Sequence, residues 1–276
     1  MDMGMDALGW AGLALALLGT GVVAGVLAGL LGVGGGIVIV PVLSWLLAIV
    51  ALPDSLTQHL AVATSLATII PTSISSARSH RKRGSVDMAR LKLWGPGVIV
   101  GALAGGVLAK FVSGDALRLV FGVVALLVAV NMFMPRQIQA AEAPPTGAPA
   151  NFSIAGVIGL FSSMMGIGGG TLAVPVQSSV GIPMRTAVGT ASALGLLIAV
   201  PGTLGFIYAG WGVEGLPPLS LGYVSLPAVA LIVPATWIFA PQGAKLAHKV
   251  DQALLRRLFA IFLAITAARM LLSALG

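Results

Sequence analysis

The residues with the clearest chemical meaning come in two matched sets. Gly32-Val-Gly-Gly-Gly-Ile-Val-Ile-Val-Pro41 reappears as Gly166-Ile-Gly-Gly-Gly-Thr-Leu-Ala-Val-Pro175. Downstream, Ala61-Val-Ala-Thr-Ser65 reappears as Ala187-Val-Gly-Thr-Ala191. Two matches in the same order point to an internal duplication. Glycine permits tight turns and brings backbone N–H groups close to a bound group. Where a glycine turn opens a helix, unpaired N–H donors and about half a positive charge gather at one point. An oxyanion suits such an end. Gly34, Gly35, Gly36, Gly168, Gly169 and Gly170 are therefore candidate substrate-binding residues. The competing reading is that they only let helices pack closely.

Hydroxyls follow each cluster. Thr64, Ser65, Thr190 and Ser192 lie on the next apolar segment of each repeat, where they can donate to an anion without adding fixed charge. Their alternative is a bond to the carbonyl one helical turn back. The second repeat reads Thr190-Ala191-Ser192 where the first reads Thr64-Ser65, so the hydroxyls are not symmetric. Thr171 and Gln177 face no polar counterpart at Ile37 and Leu43, which adds to the asymmetry. Pro41 and Pro175 sit too deep in their short segments to be first-turn prolines, and mark a kink or a freed carbonyl.

The missing residue types are equally informative. No Asp or Glu lies within an apolar run, which argues against a buried carboxylate for cation coupling or catalysis. His59, His80 and His248 are too scattered for a metal cluster, and the chain has no cysteine. The expectation is a non-enzyme without metal or cofactor. Asn131 reads as a polar contact between helices, and Arg269 as a side chain reaching for the membrane interface.

The elements that position these residues are membrane helices. Of 276 residues, 58% are hydrophobic and only 8% charged, with a mean hydropathy of +1.04. A soluble domain carries about 25% charged residues. A soluble enzyme, a disordered chain and a nucleic-acid-binding domain are thereby excluded. Apolar runs fall at 8–31, 37–52, 59–77, 93–112, 116–134, 152–165, 171–182, 187–208, 219–240 and 254–275. Crossing a bilayer takes about 20 helical residues. The runs at 37, 152 and 171 fall short, which predicts helix–glycine–helix hairpins that re-enter the membrane. Met1–Asp6 carries no basic residue, so the first run reads as a retained span rather than a signal peptide.

Three polar gaps organise the chain: a basic loop at 78–92, an Ala/Pro-rich linker at 136–151 and a second basic loop at 241–256. The reading is one transmembrane domain over 1–276, with repeat one at 8–135 and repeat two at 152–276. The net charge of +7 is unevenly spread. With loop 78–92 in the cytoplasm, Arg78, Arg81, Lys82, Arg83, Arg90, Lys92, Arg136, Arg185, Lys245, Lys249, Arg256 and Arg257 all fall inside. Lys110, Arg118 and the acidic Asp2, Asp6, Asp54, Asp115 and Glu214 fall outside. This is the positive-inside pattern. It places both termini outside and makes the repeats inverted, an arrangement common in secondary transporters.

The duplicated G-x-G-G-G-x-x-x-x-P motif, the Ala61–Leu66 segment (AVATSL) and the His80–Gly84 segment (HRKRG) resemble the TauE/SafE sulfite exporter family, over about residues 18–275. The resemblance implies a multi-pass carrier in the cell membrane, in bacteria the inner one. It implies a substrate such as sulfite or a small organosulfonate like sulfoacetate, moved outward by alternating access. The partners expected are a small anion and the lipid bilayer. An anion channel, an uptake carrier for another small anion and a non-transporting membrane partner are the alternatives.

Overall fold

The computed structural model describes residues 7–32, 34–49, 52–133, 147–246 and 252–275. They form ten α-helices: α1 (Ala7–Leu31), α2 (Gly36–Ile49), α3 (Asp54–Arg81), α4 (Met88–Leu108), α5 (Gly114–Phe133), α6 (Ala148–Met164), α7 (Gly170–Ser179), α8 (Met184–Ala209), α9 (Leu226–Leu246) and α10 (Gln252–Leu275). Six of them, α1, α3, α4, α5, α8 and α9, are long and apolar enough to cross a membrane. The fold is that of an all-α, multi-pass membrane protein. Its outer faces carry Leu15, Leu103, Leu127, Leu204, Ile238, Ile265 and Leu272, all exposed, as lipid-facing side chains are.

The helices pair in a regular way. α1 packs on α9 and α6 on α4; α2 packs on α3 and α7 on α8; α3 meets α8, and α5 meets α10. Exchanging α1–α5 for α6–α10 maps each pairing onto another or onto itself. The two most enclosed spans, α3 and α8, start alike: Pro53 and Pro183 precede them with φ −54° in both and ψ 133° and 135°. Proline presets φ and supplies no N–H that would need a partner.

Lipid offers no hydrophobic drive between helices, so close backbone contact has to supply it. Gly97, Gly101 and Gly105, spaced by four, form one bare stripe on α4. A Cβ at Gly101 would run into the carbonyl of Gly156 on α6, and one at Gly97 would lie 3.0 Å from Ala155 Cβ. Gly21, Gly25 and Gly29 on α1 do the same against α9, where a Cβ at Gly25 would lie 2.9 Å from Thr236 Cα.

The boundaries differ from the sequence expectation at four places. The run 219–240 is not wholly helical: Ser220–Leu221 and Val224–Ser225 pair as a small antiparallel hairpin, β1 and β2, before α9 begins. Gly222, at φ 53°, makes the turn, with the aromatic Tyr223 and β-branched Val224 favouring the strand. The basic loop 78–92 contracts to 82–87, because α3 runs on to Arg81 and α4 starts at Met88. Basic side chains in the last turn of α3 complement its dipole, and Asp87 caps α4 by accepting from the Arg90 N–H at 3.0 Å. α6 begins at Ala148 rather than 152, since Pro149 is tolerated in a first turn. The rest of the linker lies outside the described residues. The second basic loop is narrower as well: Pro241–Leu246 belong to α9, and Lys245 sits in its last turn.

Gly101→Ala should force α4 and α6 apart, at about 1–3 kcal/mol. Gly19, with nothing within 4 Å of a Cβ, is the control. In detergent, thermal unfolding of the Gly101 variant should move down by several degrees and that of Gly19→Ala should stay in place or rise.

Candidate functional site

Each glycine cluster forms a tip between two helices. The first tip turns through Gly32, Gly34 and Gly35, at φ 67°, 74° and 80°. The second turns through Gly166 at φ 68°, while Gly169 is in the ordinary helical region at φ −57°. Matched sequences thus give two different local shapes. The tips meet: a Cβ on Gly34 would lie 3.2 Å from Gly168 Cα, and one on Gly36 would lie 2.9 Å from Ile167 Cα.

Each tip packs on the long helix of its own half, through Ile69 or Leu194, and also seats on the long helix of the other half. A Cβ on Gly32 would be 3.0 Å from Val188 Cγ1 and 3.1 Å from Ser192 Oγ on α8. A Cβ on Gly166 would be 2.8 Å from Val62 Cα on α3. Val62 and Val188 are the second residues of the two matched segments, so the seatings correspond.

The hydroxyls predicted as donors are placed as follows. Ser65 Oγ donates to the Gly166 carbonyl at 2.7 Å, tying α3 to the second tip. Ser192 Oγ donates to the Val188 carbonyl at 3.0 Å, one turn back, and accepts from Ser76 Oγ at 3.3 Å. Thr64 Oγ1 accepts the Ser225 N–H at 3.0 Å, and Thr190 Oγ1 accepts the Asp87 N–H at 2.9 Å. Both threonines therefore hold the residues leading into a neighbouring helix, α9 in one case and α4 in the other. The structure brings Gly34, Gly168 and their neighbours together, and commits the protons of Ser65 and Ser192 to backbone carbonyls.

The start of α7 is different. Its N-cap, Gly169, has no side-chain cap, and the first carbonyl-bonded N–H is that of Ala173, to Gly169 O at 2.7 Å. Earlier N–H groups of a helix have no partner within it. Thr171 Oγ1, in this first turn, is 2% exposed and has no hydrogen-bond partner among the described residues. Both polar atoms of the Gln177 side chain, at 0% exposure, are likewise unpartnered. Pro175 supplies no N–H, so the carbonyl of Thr171 loses its usual helical donor.

Sequence reading took Ser65 but passed over the row of hydroxyls that continues from it along α3. Ser65, Thr68, Thr72 and Ser76 recur at three or four residues and are all buried. Thr68 Oγ1 bonds to Ser65 O and Thr72 Oγ1 to Thr68 O, both at 2.7 Å. Ser73 beside them has no partner for its Oγ. Their helical spacing was the available signal. His59 is another. Its Nε2 lies 3.1 and 3.0 Å from the carbonyls of Ala109 and Val112, its Nδ1 lies 3.1 Å from Ser55 O, and its ring stacks on Tyr223 at 4.8 Å. Arg269 stacks over Trp45 at 4.5 Å, Lys110 over Tyr208 at 5.3 Å, and Arg118 pairs with Asp115 at 2.8 Å.

An all-α bundle with two glycine tips meeting in its interior suits a membrane transporter. The chain belongs to the TauE/SafE sulfite exporter family, whose model matches residues 17–270. It is 35% identical to a "Probable membrane transporter protein" of Haemophilus influenzae, over 91% of this chain and 96% of that one. Two further proteins described in the same words are each 27% identical. One, from Bacillus subtilis, aligns over 84% of this chain and 87% of its own. The other, from Methanocaldococcus jannaschii, aligns over 93% and 94%. No solved structure matches the chain. It is a multi-pass membrane transporter.

Thr64→Val and Thr190→Val each delete the acceptor of a backbone N–H, at a cost of about 1 kcal/mol. Both variants should unfold at lower temperature with no substrate present, and the serine replacements should restore most of the loss. Unchanged unfolding would mean that these threonines hold nothing.

Proposed function

We infer that this transporter carries a small sulfur-containing oxyanion, sulfite or an organosulfonate such as sulfoacetate, and exports it by alternating access. The observation that carries the reading is the start of α7: uncapped N–H groups, with the unpartnered buried Thr171 hydroxyl among them, where the two tips meet. In a site without water those donors need an acceptor, and an anion provides one. The family description supports sulfite and outward transport. Absence of carboxylates from the interior favours an anion over a cation.

Inverted repeats and an outer location of both termini are part of the same reading. They are supported by the exchange pattern of helix pairings and by the cluster of basic residues around 78–92. The location is the cell membrane. Opposed hairpins that share one central site would let the tips part first on one side and then on the other.

The test is flux in proteoliposomes loaded in turn with sulfite, sulfate, thiosulfate and sulfonates. Saturable transport of at least one of these is expected; cation flux independent of any anion would defeat the reading, and single-channel currents would replace a carrier with a channel. Thr171→Val should weaken binding of the transported anion by about 1–3 kcal/mol while leaving thermal unfolding unchanged, because the hydroxyl bonds nothing among the described residues.

Orientation has its own check. The chain lacks cysteine and Lys82 is exposed between α3 and α4, so Lys82→Cys gives one reporter. An impermeant thiol reagent should label it in inside-out vesicles and not in intact cells.

A further inference from the structure

We propose that only one of the two glycine tips binds the anion, the second, and that Ser73 of α3 is its side-chain donor, with Gly195 of α8 leaving the room. This rests on the anion-transport reading and adds to it two residues and a stoichiometry.

The matched segments Ala61–Ser65 and Ala187–Ala191 set Ile69 against Gly195, and Ser73 against Ala199, at equal distances along α3 and α8. The corresponding places are filled very differently. At the first tip Ile69 closes the space: its Cγ2 would lie 3.1 Å from a Cβ on Gly34, and its Cδ1 2.9 Å from one on Gly36. Ala199, fully buried, offers no polar atom in its side chain. Hydrocarbon thus backs the Gly34–Gly36 side of the first tip, and the hydroxyl beside Gly32, that of Ser192, already donates to Val188 O, so an anion there would lose its hydration for little return.

At the second tip Leu194 and Ile198 of α8 pack on Gly169, but Gly195 stands bare where Ile69 stands at the first, and a hydroxyl faces it. A Cβ on Gly195 would fall 2.6 Å from Ser73 Oγ and 3.7 Å from Gly169 N. The bare face of Gly195 is therefore bordered by a hydroxyl from α3 and by the N-cap N–H of α7. Ser73 is 1% exposed, and its Oγ has no partner among the described residues. A serine in a helix usually bonds to the carbonyl one turn back, as Thr72 does nearby. Ser73 does not, and leaving a buried hydroxyl unpaired is unfavourable unless a ligand completes it. Thr171 adds a second unpartnered hydroxyl in the first turn of the same ten-residue helix. Two hydroxyls and the N–H groups of one helix start make a donor set for a single small oxyanion with several oxygens. The equivalent set is absent at the first tip.

The experiment is calorimetric titration of the purified full-length transporter with sodium sulfite, sodium sulfate and sodium methanesulfonate. Wild type should take up one anion per chain. Ser73→Ala should weaken the tightest of the three by at least about tenfold, the loss of one bond to a charged group, with unchanged thermal unfolding. Ala199→Ser, the matched position at the first tip, should bind as wild type. Gly195→Ala places a methyl against Ser73 Oγ and should also abolish binding. The double variant Ser73→Ala with Gly195→Ala relieves that clash, since the nearest remaining atoms are Gly169 N and Ser73 Cβ, both at 3.7 Å, and should regain wild-type unfolding without regaining affinity. Wild-type affinity in Ser73→Ala, or two equivalent anions per chain, overturns this inference and leaves the transport reading standing. No binding of any of the three anions by the wild type removes both.

Discussion

Gly34 lies against Gly168, and the rest of the molecule is arranged so that this contact can exist. A helix interrupted inside a membrane leaves backbone N–H and C=O groups with no water to satisfy them. Such breaks survive only where protein surrounds them. Here each tip is enclosed three times over: by the other tip, by the long helix of the opposite half, and by the long helix of its own half through Ile69 or Leu194. The enclosure needs backbones to approach more closely than any side chain permits. That is why the glycines recur at the tips and again as stripes on α1 and α4, the helices whose packing brings the two halves round the centre.

The hydroxyls divide into two populations with different consequences. Thr64, Thr190, Ser65 and Ser192 are occupied with protein groups. They join the inner faces of α3 and α8 to the segment before α9, to Asp87 and to the second tip. A hydroxyl suits this work because it both donates and accepts without bringing a charge that would have to be desolvated. Thr171 and Ser73 belong to the second population, buried and unpartnered among the described residues, as are Ser162 and Thr203. Types and positions alone do not separate the two.

The duplicated architecture also bears on how the halves divide their work. α3 and α8 begin with the same backbone angles and seat the opposite tips through corresponding valines. Beyond that they diverge. α3 carries the buried row Ser65, Thr68, Thr72 and Ser76, whereas the matched stretch of α8 is largely Leu194, Ile198 and glycine. The framework is shared because both halves must close round the same centre. The polar side chains are not shared, and each buried hydroxyl left without a partner costs stability.

The sequence by itself determined the membrane class and the number of helices among the described residues, and it displays the paired motifs. These depend on composition, run length and local repeats, which need no knowledge of what packs on what. Ten apolar runs became ten helices, and errors fell at the ends, where Pro149, Asp87 and the Gly222 turn act through local geometry that hydropathy does not register. The candidate glycines were legible because their spacing is unusual and occurs twice. The partners of each hydroxyl were not legible, since Ser65 meets Gly166 and Thr190 meets Asp87 across about a hundred residues. Nor was Ser73 legible as an unpartnered hydroxyl. In the sequence it is one of many hydroxyls on α3. Its distinction arises only when α8 packs alongside and brings the bare Gly195 opposite. Periodicity and composition are properties of a segment, but whether a buried polar group finds a partner is decided by which segment lies next to it, and only the folded chain decides that.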